Sequence, residues 1–169
     1  MNKALIVIDV QKYFLTEETK PIVKRIGEYL KNNSTKYSAI YFTIFKNDSD
    51  APLWKISEWR DCTGSPDTDI CDEIKEFTND SNLFHKNILS AVKVPEISRG
   101  IKENNISEVE LCGFDTDCCV LATAYDLFDQ GIKPIILGNL TWSTSEGKLH
   151  KPAIQMIERN IGFVEEVKP

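Results

Sequence analysis

With 169 residues, 41% of them hydrophobic and 27% charged, the chain is long enough to bury a real core and has the make-up of an ordinary globular protein. Twenty lysines and arginines against twenty-six aspartates and glutamates leave a net charge of −6. Nucleic acids and anionic membranes reward clustered basic residues, and no such cluster exists here, so neither is expected as a partner.

The first predicted element is a strand over residues 3–9, an unbroken apolar run (Ala4-Leu5-Ile6-Val7-Ile8) closed by Asp9, as suits a strand buried on both faces. The run is far shorter than a membrane span or a signal-peptide core, so a cytoplasmic location with reduced thiols is expected. The five cysteines (Cys62, Cys71, Cys112, Cys118 and Cys119) are odd in number, contain no C-x-x-C, and are joined by only two histidines, His85 and His150. They read neither as a disulfide framework nor as a zinc site, which leaves packed thiols or a nucleophile.

Ile22, Val23, Ile26, Tyr29 and Leu30 share one face of a predicted helix over residues 20–32. A second strand is expected at 39–45. Residues 46–81 then break the rhythm with Asp, Ser, Pro and Gly around Trp54 and Trp59, and only 69–77 looks helical. A loop of that length in a compact protein is more often functional than idle, so it is expected to wall a site. Further strands are predicted at 82–86, 108–114, 134–137 and 162–167, with helices at 95–104, 117–130 and 150–160. This alternation predicts a three-layer α/β/α fold with a mostly parallel sheet of about six strands, residues 1–169 forming a single domain.

Ligands of open parallel sheets bind outside the carboxyl ends of the strands. Asp9 stands at one such end and Lys86 at another, and Cys119 follows the strand at 108–114. A thiol is a weak nucleophile until ionised, and helix N-termini and nearby cations lower its pKa from about 8.5. Cys119 is expected to feel both, through the helix start and through Lys86. Asp9 is suited to take the thiol proton, and free N–H groups at the helix start are suited to hold an oxyanion.

Particular local words sharpen this reading. Asp9-Val10-Gln11-Lys12-Tyr13-Phe14 resembles the D-x-Q-x-x-F opening of the isochorismatase-like cysteine hydrolases, which include nicotinamidases and N-carbamoylsarcosine amidases. Gly113-Phe114-Asp115-Thr116-Asp117-Cys118-Cys119-Val120 is similar to their nucleophile turn, G-x-x-T-D-x-C-V. Phe84-His85-Lys86-Asn87 with Ser90-Ala91 resembles their lysine segment. Thr123-Ala124 and Gly131 resemble the family's helix after the nucleophile, and His150 through Gly162 its ending.

The resemblance implies an Asp9–Lys86–Cys119 triad, with Cys118 at a variable position. It also implies a cis peptide between Phe114 and Asp115, and an oxyanion hole made by the Asp115 and Cys119 N–H groups. Small residues are usual where Asp115 stands, so a negative side chain beside the oxyanion is a departure. Nicotinamidases of the family carry metal-binding histidines in the stretch that here, over residues 46–81, has none, so no metal or other cofactor is expected. Phe14, Trp54 and Trp59 are the candidate substrate-binding residues, suited to a flat or apolar small molecule. The expected activity is hydrolysis of a small amide or carbamoyl compound through a thioester, by a homo-oligomer. The alternatives are an isochorismatase-type or ester hydrolase, and a family-like protein that binds a ligand or partner without catalysis.

Overall fold

Ala4 to Ile8 are buried on both faces, and the computed structural model, which describes residues 2–168, shows why. The strands are β1 (Asn2–Ile8), β2 (Ala39–Phe45), β3 (Leu83–Lys86), β4 (Ile106–Gly113), β5 (Lys133–Thr141) and β6 (Val164–Glu165). They form one six-stranded sheet in the order β3-β2-β1-β4-β5-β6, and every neighbouring pair is parallel. The α-helices among the described residues are α1 (Lys20–Asn33), α2 (Pro52–Ile56), α3 (Asp72–Lys75), α4 (Pro95–Glu103), α5 (Leu121–Asp129) and α6 (His150–Asn160).

Strand periodicity sorts β1 between two cores. Ala4, Ile6 and Ile8 pack with Ile97 and Ile101 of α4, Ala124 and Leu127 of α5, and Ile157 of α6. Leu5 and Val7 pack with Ile22, Val23, Ile26 and Leu30 of α1 and with Ile74 of α3. Helices therefore cover both faces, and the chain adopts the three-layer α/β/α fold expected of it. Among the described residues no helix is long and apolar enough to cross a membrane.

β1 and β4 lie side by side at the sheet centre, where the strand order reverses and a crevice opens beyond their carboxyl ends. Ile8 pairs with Gly113 at that edge. Gly113 has a φ of 110°, and a Cβ added there would stand 2.1 Å from the Ile8 carbonyl oxygen, so no other residue fits without moving a strand. The close approach lets the Phe114 N–H donate to that same carbonyl at 2.8 Å, which aims the following turn at the crevice.

Several boundaries depart from the sequence expectation. β1 ends at Ile8, and Asp9 leaves the strand with a φ of 52°, a left-handed conformation that Asp tolerates better than most residues. Lone Gly138 and Asn139 read as turn formers, yet β5 carries both and runs on until Thr141 pairs with Gly113. β6 is shorter than expected, at Val164–Glu165. In the long loop the helix narrows to α3, and the five-residue α2, opened by Pro52, was not foreseen. The helix expected at 117–130 begins as a π-helical turn (Thr116–Val120) before α5, with the Val120 N–H reaching back five residues to the Asp115 carbonyl at 3.1 Å.

Candidate active site

Asp9, Lys86 and Cys119, far apart in sequence, meet at the sheet edge. The Lys86 Nζ donates to Asp9 Oδ2 at 2.7 Å, lies 3.4 Å from Cys119 Sγ, and donates to the Ile88 carbonyl at 3.1 Å. An ammonium has three protons to place, and these three partners take them. The other Asp9 oxygen, Oδ1, accepts from the Thr43 hydroxyl at 2.8 Å. All three residues are nearly closed off from solvent, with exposures of 0% for Asp9, 4% for Lys86 and 5% for Cys119.

Burial alone would push the Lys86 pKa down, but the Asp9 carboxylate and the Cys119 sulfur outweigh it, and the net displacement is upward. Lys86 is therefore charged. Cys119 departs from the sequence expectation of a lowered pKa. The adjacent Cys118 thiol, burial and the Asp9 carboxylate hold it well above the ordinary thiol range, with Lys86 opposing them. Charge counting explains this. Asp9 already matches the Lys86 charge, so a thiolate would add a net negative charge to a site almost without water. Cys119 therefore rests as a thiol. Moving its proton to Asp9, in contrast, leaves the net charge of the cluster unchanged.

The Phe114–Asp115 peptide is cis. Among the described residues the Asp115 N–H finds no acceptor, while the N–H groups of Cys118 and Val120 both donate to the Asp115 carbonyl. The Asp115 side chain, the feature at odds with the family pattern, is turned to Thr144: Oδ1 accepts from the Thr144 N–H at 2.8 Å and Oδ2 from its hydroxyl at 2.7 Å.

A cavity of about 260 Å³ opens onto Cys119 and is lined also by Cys118, Asp115, Thr144, Tyr13, Phe14, Phe45 and Trp59. Phe14 and Trp59 are thus where a substrate-binding role would need them. Trp54 is not. Successive helical residues point about 100° apart, and α2 brings Leu53 to the cavity while the Trp54 ring lies against the Arg60 guanidinium, 4.7 Å from its carbon.

Among the described residues no three His, Cys, Asp or Glu side chains gather in a metal-holding cluster. After β2 the chain offers Asn47 and Asp48, and the Asp48 carboxylate is engaged by the Asn87 amide at 3.2 Å and the Asp50 N–H at 3.0 Å. With no imidazole or thiolate between them, these two residues do not fit zinc, copper or nickel.

Three supporting residues were given no role in the reading of the sequence, although Gln11 and Thr123 stand within its motifs. Thr43 orients Asp9, and its signal was a lone threonine among the aliphatic and aromatic residues of its strand (AIYFTIF). Gln11 clamps the end of β2: its Oε1 accepts from the Phe45 N–H at 2.7 Å and its Nε2 donates to the Phe45 carbonyl at 2.9 Å. Thr123 donates to the Cys119 carbonyl at 2.7 Å and accepts from the Ala91 N–H at 2.9 Å, tying the cysteine's turn to the segment after Lys86.

The family model for the isochorismatase domain matches residues 3–168. Solved structures align over nearly the full length. The nicotinamidase/pyrazinamidase of Bacillus subtilis has a TM-score of 0.83 at 24% identity, covering 98% of this chain and 100% of that one. The N-carbamoylsarcosine amidase of Thermoplasma acidophilum has a TM-score of 0.83 at 20% identity, with 98% and 96% covered. The pyrazinamidase of Pyrococcus horikoshii, solved in complex with zinc, has a TM-score of 0.80 at 20% identity, with 99% and 100% covered. No curated protein matches in sequence. At such identities the structural likeness carries the fold alone.

Proposed function

This chain belongs to the isochorismatase family, and on that premise we propose that it is a metal-independent cysteine hydrolase of small amide or carbamoyl compounds. The observation that supports this best is Lys86 Nζ bridging Asp9 Oδ2 at 2.7 Å and Cys119 Sγ at 3.4 Å beneath an aromatic-walled cavity. Asp9 takes the Cys119 proton as the sulfur attacks the substrate carbonyl carbon. Lys86 holds the sulfur and keeps Asp9 aligned. The backbone N–H groups of Asp115 and Cys119 receive the oxyanion. When the intermediate collapses the C–N bond breaks, Asp9 returns its proton to the departing nitrogen, and an acyl thioester remains on Cys119. Asp9 then takes a proton from water, the hydroxide adds to the thioester, the C–S bond breaks, and the proton goes back to the sulfur. The products are ammonia, or an amine, and a carboxylic acid.

Phe14 and Trp59 form the substrate wall in this reading, and residues 1–169 act as one domain in a cytoplasmic homo-oligomer. Phe128 and Met156, exposed at 48% and 49%, are apolar surface suited to a subunit contact.

A screen of small primary amides for ammonia release tests the reaction. Mass spectrometry of protein quenched during turnover should find the acyl group on Cys119. Ammonia release that survives Cys119→Ala, or an adduct on Cys118, would contradict it. Metal independence has its own check. Elemental analysis should find far less than one zinc, iron or manganese per chain, and chelators should leave turnover unchanged. About one metal per chain, with activity lost on chelation, would reverse this part of the proposal.

A further inference from the structure

Asp115 takes no part in the proposed hydrolysis through its side chain, yet it is the only residue carrying a full formal charge among those that line the cavity over Cys119. Both carboxylate oxygens accept hydrogen bonds from Thr144 and still have lone pairs free. None of the ion pairs among the described residues includes it. Lys86, the cation beside Cys119, is already committed to Asp9, Ile88 and Cys119. A half-buried carboxylate without a cation is costly, and the cost falls if a ligand brings the positive charge.

The aromatic residues of the same cavity suit such a ligand. Tyr13 meets Trp59 edge-on with ring centroids 5.6 Å apart, and Phe14 lies 5.1 Å from Tyr13. The Trp59 indole N–H donates to the Tyr13 hydroxyl, which reaches the Asp61 carboxylate, both at 3.3 Å. One aromatic face is already used, since Lys86 Nζ lies 5.0 Å from the Phe45 centroid. Electron-rich faces and a carboxylate lining one cavity attract cations and repel anions. The adjoining larger cavity of about 400 Å³ lacks this character, because its carboxylate, Asp126, is paired with Lys93 at 3.1 Å.

We propose that Asp115 selects the substrate: the site takes a small amide bearing a positively charged amine, which docks on the Asp115 carboxylate against the aromatic wall, and it rejects amides bearing a carboxylate. This rests on the hydrolase reading of the same site. Burial raises the Asp115 pKa to about 6 against the two Thr144 hydrogen bonds, with Asp117 and Asp9 adding to the rise, as befits a carboxylate with no cation nearby.

The test uses three benzamides that differ only at the meta position, with aminomethyl, methyl or carboxylate substituents, binding to the Cys119→Ala protein by calorimetry. The aminomethyl compound should bind at least about tenfold more tightly than the methyl compound, and the carboxylate compound most weakly. Asp115→Asn should shrink the cation-to-neutral ratio to within about twofold. Lowering the pH from about 8 to about 5 should shrink it likewise with Asp115 in place, which keeps the idea testable if the Asn variant does not fold. The charged groups that act on Asp115 are Asp117 and Asp9. No charge order among the three compounds, no binding of the cation at about millimolar concentration, or a ratio that survives both the Asn variant and low pH would overturn the proposal. Binding is read without turnover. An ordered series with no ammonia released by wild-type protein would therefore count against the hydrolase reading and leave the selectivity standing.

Discussion

Cys119→Ala, Lys86→Ala and Asp9→Asn should each lower amide turnover by at least about 1,000-fold, and pairs of these changes should cost little more than one alone. The reason lies in the shared proton. Cys119 rests as a thiol, so attack requires Asp9 to receive its proton while Lys86 keeps the sulfur and the carboxylate in register. Removing any member stops the same step. Asp9→Asn is the sharpest probe, because it keeps the shape and the Thr43 contact but cannot accept the proton. Single-turnover kinetics should then show no acyl adduct on Cys119. Losses that multiply across double mutants would mean that the three residues act at separate steps.

The same pair governs stability in an unequal way. Lys86 and Asp9 form an ion pair whose side chains are both fully shielded from water. Breaking such a pair by removing one partner strands a buried charge, so Asp9→Leu or Lys86→Met alone should cost about 3–5 kcal/mol. The double variant should be more stable than either single one, because two apolar side chains replace the pair and no lone charge remains. Urea unfolding of the four proteins measures this coupling. Domains of this size hold about 5–15 kcal/mol in reserve, so the single variants should still fold for assay. A double variant less stable than both singles would show that the pair stabilises the fold as well as serving the chemistry.

Much of the architecture was legible in the residues themselves. The apolar run of β1 and the Ile22–Leu30 spacing of α1 carry their periodicity locally, and alternation of such segments is enough to call for a parallel sheet covered on both faces. Asp9, Lys86 and Cys119 were also legible, as reactive groups at strand ends and within recognisable local words. Where elements stop was harder to read. Gly138 and Asn139 favour turns in isolation, and β5 carries them only in an irregular stretch between the Ile136–Leu111 and Thr141–Gly113 pairs with β4, where the Asn139 side chain is tied to the Val167 backbone.

What the sequence by itself determined was which residue types stand at the carboxyl edge of the sheet, because strand period and chain order are local properties. The tertiary structure alone decided how those groups meet and which charges they can bear. It set Thr43 against Asp9, turned Asp115 toward Thr144, and brought Leu53 rather than Trp54 to the cavity. It also kept the Cys119 proton on sulfur, since a helix start and a nearby lysine read as activating until Asp9 is seen to have neutralised that lysine. Hydrogen bonds and desolvation depend on distances between segments remote in sequence, and a pKa is the sum of all of them.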